Sequence, residues 1–369
     1  MPTSRIDAFL EIGRQQGGSD IHFAVGLPPL IRIDNELVPI KYREITEQEC
    51  TDLVREIVDD TLWATLQARG SIDVGYSSGD LGRFRVNVVR HRGGLSAICR
   101  IIPQEVPSPG DLGLPRILSQ FTRLANGLVL VTGPAGAGKS STLAAMVREI
   151  NERDSLNIVT LEDPIEFVHE SRKCQIVQRE IGTHITTFHE GLRSALRQDP
   201  DVILVGELRD PDTVTLALEA AETGHLVLGT LHTRGAAQTI DRIVDAHPSE
   251  NHAQVRHSLA ENLKAVVSQE LVRCADGRGR RAAHEVLVVT VAVQQMIREG
   301  KSFQIPGAIT TGKRLGMQLL DQSLLALVRA GEIDADEAFL KADDKWGFAP
   351  FLTRPELLGM VNGDFRAAS

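Results

Sequence analysis

The feature that most constrains this chain is a glycine-rich run that fits the pattern G-x-x-x-x-G-K-[ST]. The run stands where this pattern requires, after the apolar residues 128–131 and before the helix-prone residues 142–147. Because glycines lack the Cβ that would block a phosphate group, backbone N–H groups can turn inward as an anion nest at a helix N-terminus. A nucleotide phosphate is therefore predicted to bind to Gly133, Pro134, Ala135, Gly136, Ala137, Gly138, Lys139, Ser140 and Ser141.

Two side chains of this run have separate predicted roles. Lys139 is expected to reach the β- and γ-phosphates, and Ser140 to offer a hydroxyl to Mg²⁺, which prefers oxygen ligands and usually keeps several waters. The competing interpretation is a plain glycine-rich turn between a strand and a helix. That interpretation does not account for the lysine, the serine and both flanks together.

The size and charge of the chain narrow its class. Its 369 residues are enough for two domains, each with its own core. The formal net charge of −9 argues against a protein that mainly grips nucleic-acid phosphate, so no nucleic-acid partner is expected and DNA translocation is a weak alternative. The N-terminus lacks a signal-peptide pattern, and the apolar residues 286–293 fall far short of the ~20 needed to span a bilayer. A cytoplasmic protein is predicted, with membrane association only through partners.

Residues 1–103 predict an α+β domain with an antiparallel sheet and helices on one side of it. A first helix is expected over 4–15, and a hairpin should turn at Asp34-Asn35. A second helix should run unbroken from its capping residue Thr46 to Gly70. The strands expected after it cover 71–76, 83–90 and 95–102.

Prolines and glycines punctuate residues 104–115, which are predicted to form a linker. Over residues 116–342, apolar strands alternate with helical patterns, as in a mostly parallel, doubly wound sheet. The expected strands cover 128–131, 157–161, 202–205 and 226–230, and the expected helices cover 139–152, 187–198, 212–223 and 236–246. After about residue 250 the pattern is chiefly helical, with one strand near 282–289.

The tail over residues 343–369 holds Trp346, Phe348 and Phe351 in an otherwise polar segment. Aromatic residues are few in this chain, which favours docking of the tail on the body or on another subunit. A disordered end is the alternative.

Carboxylates follow two of the predicted strands. Residues 202–205 are apolar and lead through Gly206 to Glu207, the pattern of a buried strand that delivers an acid beside a phosphate loop. Residues 160–166 carry three acids, among them Glu162, which we expect to orient the attacking water. Glu207 is the other candidate for this role, and a plain helix cap is the structural alternative for any one acid.

Histidines stand at both ends of the strand expected over 226–230. His232 follows that strand into the edge where the acids lie, so we expect it to sense the γ-phosphate. His225, at the other end, is the weaker candidate, and a metal site is disfavoured because no third ligand stands at a telling spacing. In the N-terminal domain, Arg85 and Arg100 are by default strand arginines that face water.

Several long runs, in this order, resemble the PilT branch of the secretion ATPases, the motors that retract type IV pili. In that family they are the Walker A, Asp-box, Walker B and His-box elements, and the likeness covers about residues 4 to 342. The runs are GPAGAGKSSTLAAM, TLEDPIEFVHES, SALRQDPDVILVGELRD, AAETGHLVLGTLHT and AAHE.

The resemblance implies a fold and a function. The fold would be a RecA-like P-loop NTPase domain with a mostly parallel sheet, preceded by a smaller α+β, PAS-like domain and followed by C-terminal helices. The function would be that of a hexameric ATPase that powers pilus retraction and twitching motility with ATP and Mg²⁺. The implied partners are further copies of the chain, an inner-membrane pilus platform protein and a paralogous retraction ATPase. Such a motor would be cytoplasmic and peripherally associated with the inner membrane.

The resemblance also implies site roles residue by residue. It gives Lys139 and Ser140 to phosphate and Mg²⁺, with Glu207 as a further metal ligand, directly or through water. The catalytic set would be Glu162, Glu207, His232, Arg85 and Arg100, with the two arginines approaching the γ-phosphate.

The chain departs from the family pattern in one loop. Retraction motors usually read AIxxGG there, whereas residues 308–314 read AITTGKR and lack the second glycine. The direction of movement therefore stays open between a retraction motor, an accessory ATPase of the PilU kind and an assembly motor. A nucleotide-binding regulator or scaffold without useful turnover is the rival from another class.

Overall fold

The computed structural model describes residues 4–33, 36–102 and 105–360. The chain forms two compact units. The first comprises the described residues up to Glu105 together with Pro164–Val168, and the second comprises Val106–Asp163 and the chain from His169 onward. The predicted turn at Asp34-Asn35 and the predicted boundary between residues 103 and 104 lie outside the described residues.

The sheet of the first unit is antiparallel throughout. Its strands are β1 (Asp20–Ala24), β2 (Leu30–Ile33), β3 (Glu36–Pro39), β4 (Ser71–Ser78), β5 (Gly82–His91) and β6 (Gly94–Ile101). They lie side by side in the order β3-β2-β1-β6-β5-β4. Successive strand residues point to opposite faces, so Phe84, Val86 and Val88 of β5 all enter one buried core.

Three helices cover that buried face: α1 (Arg5–Gln15), α2 (Glu47–Arg55) and α3 (Asp60–Arg69). The single helix predicted from Thr46 to Gly70 is wrong. The chain leaves the helical path after α2, and the Asp59 side chain then accepts a hydrogen bond of 2.8 Å from the backbone N–H of Leu62, which starts α3. Aspartate is a strong N-cap residue, and this cap interrupts an apolar spacing that by itself continues across the break.

The second unit is built on a sheet with seven strands among the described residues. Its strands are β7 (Gly127–Thr132), β8 (Asn157–Glu162), β9 (Gln175–Glu180), β10 (Val202–Val205), β11 (Leu226–Leu231), β12 (Leu263–Arg273) and β13 (Arg280–Val288). Their order is β13-β12-β7-β11-β10-β8-β9, and β13 alone runs antiparallel to its neighbour. The prediction of a mostly parallel sheet is confirmed.

Helices pack on both faces of this sheet. They are α4 (Leu118–Phe121), α5 (Lys139–Arg153), α6 (Phe188–Ala195), α7 (Pro211–Glu222), α8 (Ala236–Asp245), α9 (His252–Asn262), α10 (Val291–Arg298), α11 (Ile305–Thr311), α12 (Leu320–Arg329) and α13 (Ala335–Lys341). Alternate residues of β7 enter different cores: Leu128 and Leu130 pack with α7, whereas Val129 and Val131 pack with α5.

Two strands of this sheet were not predicted. The region after residue 250 was expected to be chiefly helical with one strand, yet β12 is a long strand inside the sheet. Its centre, Ser268-Gln269-Glu270, is polar and buried, so the segment lacks the apolar run by which a core strand is recognised. The other is β9, which lies at the sheet edge, where two of its four half-buried residues, Gln178 and Arg179, are polar.

The described part of the tail, residues 343–360, packs on the body. Phe348 is buried in a core with Leu324 of α12 and Phe339 of α13. The Asp336 carboxylate accepts hydrogen bonds from backbone N–H groups of Thr353 and Arg354 and from the Arg354 guanidinium. Burial raises the pKa of Asp336, but the hydrogen bond from the Thr353 hydroxyl, together with those from Arg354 and the two backbone N–H groups, outweighs it and keeps the pKa below its ordinary value.

Across residues 4–33, 36–102 and 105–360, no helix combines the length and the apolar character needed to cross a bilayer.

Candidate nucleotide site

The site lies where three neighbouring parallel strands end. The central strand β7 leads into the glycine-rich loop, β11 leads into His232, and β10 leads through Gly206 to Glu207. The strands are in register, with Thr132 beside Leu231 and Gly229 beside Val205, so their carboxyl ends lie at one edge of the sheet. Ligands of open α/β sheets bind at this edge.

Glycine is needed at three positions of the loop, for reasons that differ from one position to the next. A Cβ on Gly133 (φ 143°) would overlap the backbone oxygen of Gln269. A Cβ on Gly138 (φ 85°) would lie 2.9 Å from the side-chain nitrogen Nε2 of Gln269. Gly136 (φ 75°) has open space beside it. Gly133 and Gly138 thus allow the loop to approach β12 closely, whereas Gly136 serves the left-handed turn alone.

Lys139 is buried, and its ammonium group folds back onto the loop. The Nζ atom donates to the backbone oxygens of Gly133 at 2.9 Å and Pro134 at 3.0 Å, and lies 3.4 Å from Nδ1 of His232. A buried ammonium group needs such partners because it has lost its water. The contacts hold the cation at the mouth of the anion nest.

His232 joins the lysine to the acid. Its Nδ1 faces the Lys139 ammonium, and its Nε2 lies 3.3 Å from Oε1 of Glu207. An ammonium group can only donate, so Nδ1 is the acceptor and the ring proton belongs on Nε2, facing the carboxylate. The three predicted residues therefore form one connected polar cluster.

Glu207 has a second partner that the sequence did not point to. The Nε atom of Arg209 lies 2.7 Å from Oε2 of Glu207, and its Nη1 lies 3.6 Å from Asp163. Arg209 thereby links the acid after β10 to the acidic segment after β8. It stands two residues after Glu207 in the run GELRD, but sequence alone did not reveal which acid it faces.

Glu162 stands apart from the lysine cluster. Its Oε1 accepts hydrogen bonds from Thr160 Oγ1 at 2.6 Å and Gln178 Nε2 at 3.0 Å, within the β8–β9 edge. Strand β8 is three places from β7 in the sheet, which corresponds to about 14 Å at ~4.8 Å per strand. His225 is also remote, since its Nδ1 lies 2.9 Å from the Ala220 oxygen at the opposite end of β11.

The segment after His232 is held by strands β12 and β13. The Gly235 N–H donates to Ser268 Oγ at 2.9 Å, and the Ala236 N–H, which begins α8, donates to Oε1 of Glu285 at 2.7 Å. Burial raises the pKa of Glu285, in opposition to the hydrogen bond from the Ala236 N–H. Glu285 is the acid of the run AAHE, and the structure gives it this anchoring contact.

The two arginines of the first unit lie side by side on the sheet face opposite its core. Arg85 and Arg100 are direct cross-strand partners, and Asp20 is the next residue in the same row. Arg85 pairs with Asp73 at 2.6 Å, and Arg100 pairs with Asp20 at 2.8 Å. Burial raises the pKa of Asp20, but hydrogen bonds from Ser19 and Arg100 outweigh it and leave the pKa below its ordinary value.

Comparison with known proteins gives concordant matches. The family of type II/IV secretion system proteins matches residues 83–339. The chain is 46% identical to the type IV pilus retraction ATPase PilT of Pseudomonas aeruginosa, over 91% of this chain and 98% of that protein. It is 47% identical to a twitching motility protein of Neisseria gonorrhoeae, over 86% of this chain and 84% of that protein. A crystal structure of the pilus retraction motor PilT with bound ADP aligns with a TM-score of 0.86 at 39% identity, over 92% of this chain and 97% of that one.

The two glycine environments predict different costs of substitution. Gly136→Ala should lower the free energy of unfolding by about 1 kcal/mol, because the strain of a left-handed residue is its main cost. Gly133→Ala should cost about 3 kcal/mol or more, because the new Cβ also forces β12 away from the loop. Denaturant unfolding of both variants measures the difference. Equal losses would contradict the close approach of Gly133 to Gln269.

Proposed function

This chain belongs to the type II/IV secretion system protein family, and from that premise we propose that it is an ATP-hydrolysing motor that powers retraction of type IV pili. The observation that carries the proposal is the cluster of Lys139, His232 and Glu207 at the strand ends behind a complete phosphate loop. A plain phosphate-binding turn requires no acid joined to its lysine. A hydrolase needs a group that positions water for attack on the phosphoryl group, and an acid connected to the loop lysine can serve as that group.

Catalysis in this proposal is positioning together with charge stabilisation. The loop N–H groups and Lys139 bind the phosphates, and Glu207 orients the attacking water. Support for Glu207 in this role, ahead of Glu162, is its connection to Lys139 through a single imidazole ring. Glu162 accepts hydrogen bonds from Thr160 and Gln178 at the neighbouring strand end.

His232 acts as the sensor of the γ-phosphate. Its ring lies between the cation that would bind this phosphate and the acid that would orient water. When the γ-phosphate accepts hydrogen bonds from Lys139, the contact between Lys139 and Nδ1 of His232 is lost. When the phosphate leaves, this contact forms again. The segment that follows His232 would transmit this exchange, since it leads directly into α8.

The donor set also suits magnesium. Ser140 is exposed at the first turn of α5, and Glu207 supplies a carboxylate, so hydroxyl and carboxylate oxygens are both available to a hard cation, directly or through water. The ion would neutralise charge on the phosphates during transfer of the phosphoryl group. Ser140 and Glu207 would hold it together with the nucleotide.

Arg85 and Arg100 are proposed as the γ-phosphate ligands of the first unit. Support comes from their adjacent positions on neighbouring strands, on the sheet face opposite the core. Asp73 and Asp20 hold these side chains in place, and an arriving phosphate would compete for them.

The assembly would be a closed homo-hexamer, because subunits that contact head to tail either close into a ring or grow as filaments. The ring would act on an inner-membrane pilus platform protein, with a paralogous retraction ATPase as a further partner. In this arrangement the chain would lie at the cytoplasmic side of the inner membrane through protein contacts. The names of its relatives, a pilus retraction ATPase and a twitching motility protein, support this part of the proposal.

The catalytic assignment predicts a split between binding and turnover. Lys139→Ala should abolish tight nucleotide binding, because it removes the cation of the nest. Glu207→Gln should keep ATP binding within about threefold of wild type but lower phosphate release by ~100-fold or more, because the carboxylate acts in the transition state. Steady-state phosphate release and equilibrium ATP titration measure the two effects.

Glu162→Gln is the matched control for this experiment, since it makes the same chemical change at the other acid. It should retain far more turnover than Glu207→Gln. A larger loss in Glu162→Gln would return the water-orienting role to Glu162, and wild-type protein that binds ATP without phosphate release would favour a regulator or scaffold.

The arginine assignment predicts an effect on ATP chemistry without an equal effect on ADP. Arg85→Ala and Arg100→Ala should each lower kcat by ~100-fold while ADP affinity stays within about twofold, because ADP lacks the γ-phosphate. Asp73→Asn and Asp20→Asn are the matched controls, because they break the same ion pairs but keep the arginines. Equal losses of turnover and ADP affinity, or equal kcat losses in arginine and aspartate variants, would assign the arginines a structural role.

Deletion of the gene from its own host tests the direction of movement. If the chain is a retraction motor, the deletion strain should keep surface pili but lose twitching motility, because pilus extension continues while disassembly stops. Plasmid-borne wild type should restore twitching, and Glu207→Gln should not. Loss of surface pili on deletion would instead indicate an assembly motor.

A further inference from the structure

We propose that Gln269 is the positioning residue that holds the phosphate loop in its binding shape. The inference rests on the nucleotide site proposed above and assigns a role to a residue outside the glycine-rich run. Gln269 lies in β12, directly beside β7, and its side chain is buried.

The side chain of Gln269 spans the junction between loop and helix. Its Nε2 donates to the backbone oxygen of Ala137 at 2.6 Å, and its Oε1 accepts from Thr142 Oγ1 at 2.7 Å. Ala137 belongs to the loop, whereas Thr142 lies in the first turn of α5. One amide group therefore fixes the loop relative to the helix whose N-terminus would face the phosphates.

Backbone packing reinforces these two hydrogen bonds. Gly133 lies against the backbone oxygen of Gln269, and Gly138 lies against the side-chain nitrogen Nε2 of Gln269. Both contacts are so close that a Cβ would not fit. The loop thus contacts Gln269 near its start, at its end and at Ala137 between them. Gln269 therefore contacts the loop at three residues and not at one.

The strand that carries Gln269 is itself held on both sides. It pairs with β7 in parallel and with β13 in antiparallel orientation. The next residue, Glu270, accepts a hydrogen bond of 2.9 Å from Lys341 of α13. Gln269 is therefore a fixed support, and the loop is the part whose shape depends on it.

An amide suits this position because one donor and one acceptor are needed at the same time. A glutamate offers no donor to Ala137 when ionised, and an apolar residue offers neither group. Either change leaves a buried carbonyl or hydroxyl without this partner, and the loop can recover hydrogen bonds only by leaving its present shape.

A loop that spends less time in its binding shape binds nucleotide more weakly, by the fraction of competent molecules. The loss should be the same for ATP and ADP, because the loop holds phosphates that both share. Once nucleotide is bound, the loop is ordered again and turnover at saturation should change little. A positioning role thus predicts weaker affinity with nearly constant kcat.

The experiment uses Gln269→Met, which keeps the length of the side chain and removes both polar atoms. Equilibrium titration with a fluorescent ADP, and with ATP, should show affinities about tenfold weaker than wild type, with kcat within about twofold. Thr142→Val should weaken both affinities, whereas Thr142→Ser keeps the hydroxyl and should stay near wild type. The double variant Gln269→Met/Thr142→Val should lose less than the product of the single losses, because both remove the same hydrogen bond.

Thr122→Val is the matched control for a buried threonine. The Thr122 hydroxyl accepts from Arg153 at 3.0 Å, at the opposite end of α5, so its loss should affect thermal stability but not ADP affinity. Wild-type ADP affinity in folded Gln269→Met would overturn the inference. Equal affinity losses in Thr142→Val and Thr142→Ser would also overturn the inference. These two variants provide the test if Gln269→Met does not fold. Wild-type protein that binds neither nucleotide would instead overturn the proposed function itself.

Discussion

The buried ammonium group of Lys139 is the constraint around which the second unit is arranged. A buried cation is costly unless several acceptors surround it, and here two loop carbonyls and one imidazole nitrogen do so. These acceptors come from segments that follow two different strands. They meet only because β7 and β11 run parallel and end in register. The sheet order thus produces the chemistry of the site, since a shifted register would separate His232 from the lysine.

The parts of the site that were predictable from sequence are those encoded locally. The glycine-rich run, the acid after β10 and the histidine after β11 each follow an apolar strand, and parallel strands bring their ends together. The partners of these residues were not predictable, because they depend on register and on strand order. Gln178 of β9 beside Glu162 of β8 is one example, and Arg209 after β10 beside Asp163 after β8 is another, since each contact joins segments of different strands.

The first unit shows the same division. Residues 83–90 were predicted to form a strand, and a water-facing Arg85 followed from that prediction as its default position. The pairing of Arg85 with Asp73 did not, because Asp73 comes from the preceding strand through a register that only the sheet fixes. The break between α2 and α3 could not be predicted from the sequence for a related reason. Apolar spacing reports which face is buried, whereas a single capping aspartate decides where the helix begins.

The residues that concealed β12 from sequence analysis are the ones that hold the site together. Ser268 accepts from the segment after His232, Gln269 holds the phosphate loop, and Glu270 binds α13. Each is polar and buried, which an apolar core strand would avoid, and each has a partner in a different part of the unit. A polar residue is retained in a core strand when its hydrogen bonds replace those of water. The departure of β12 from the apolar pattern is thus tied to its position, since from beside β7 it bonds to the phosphate loop, to the segment after His232 and to α13.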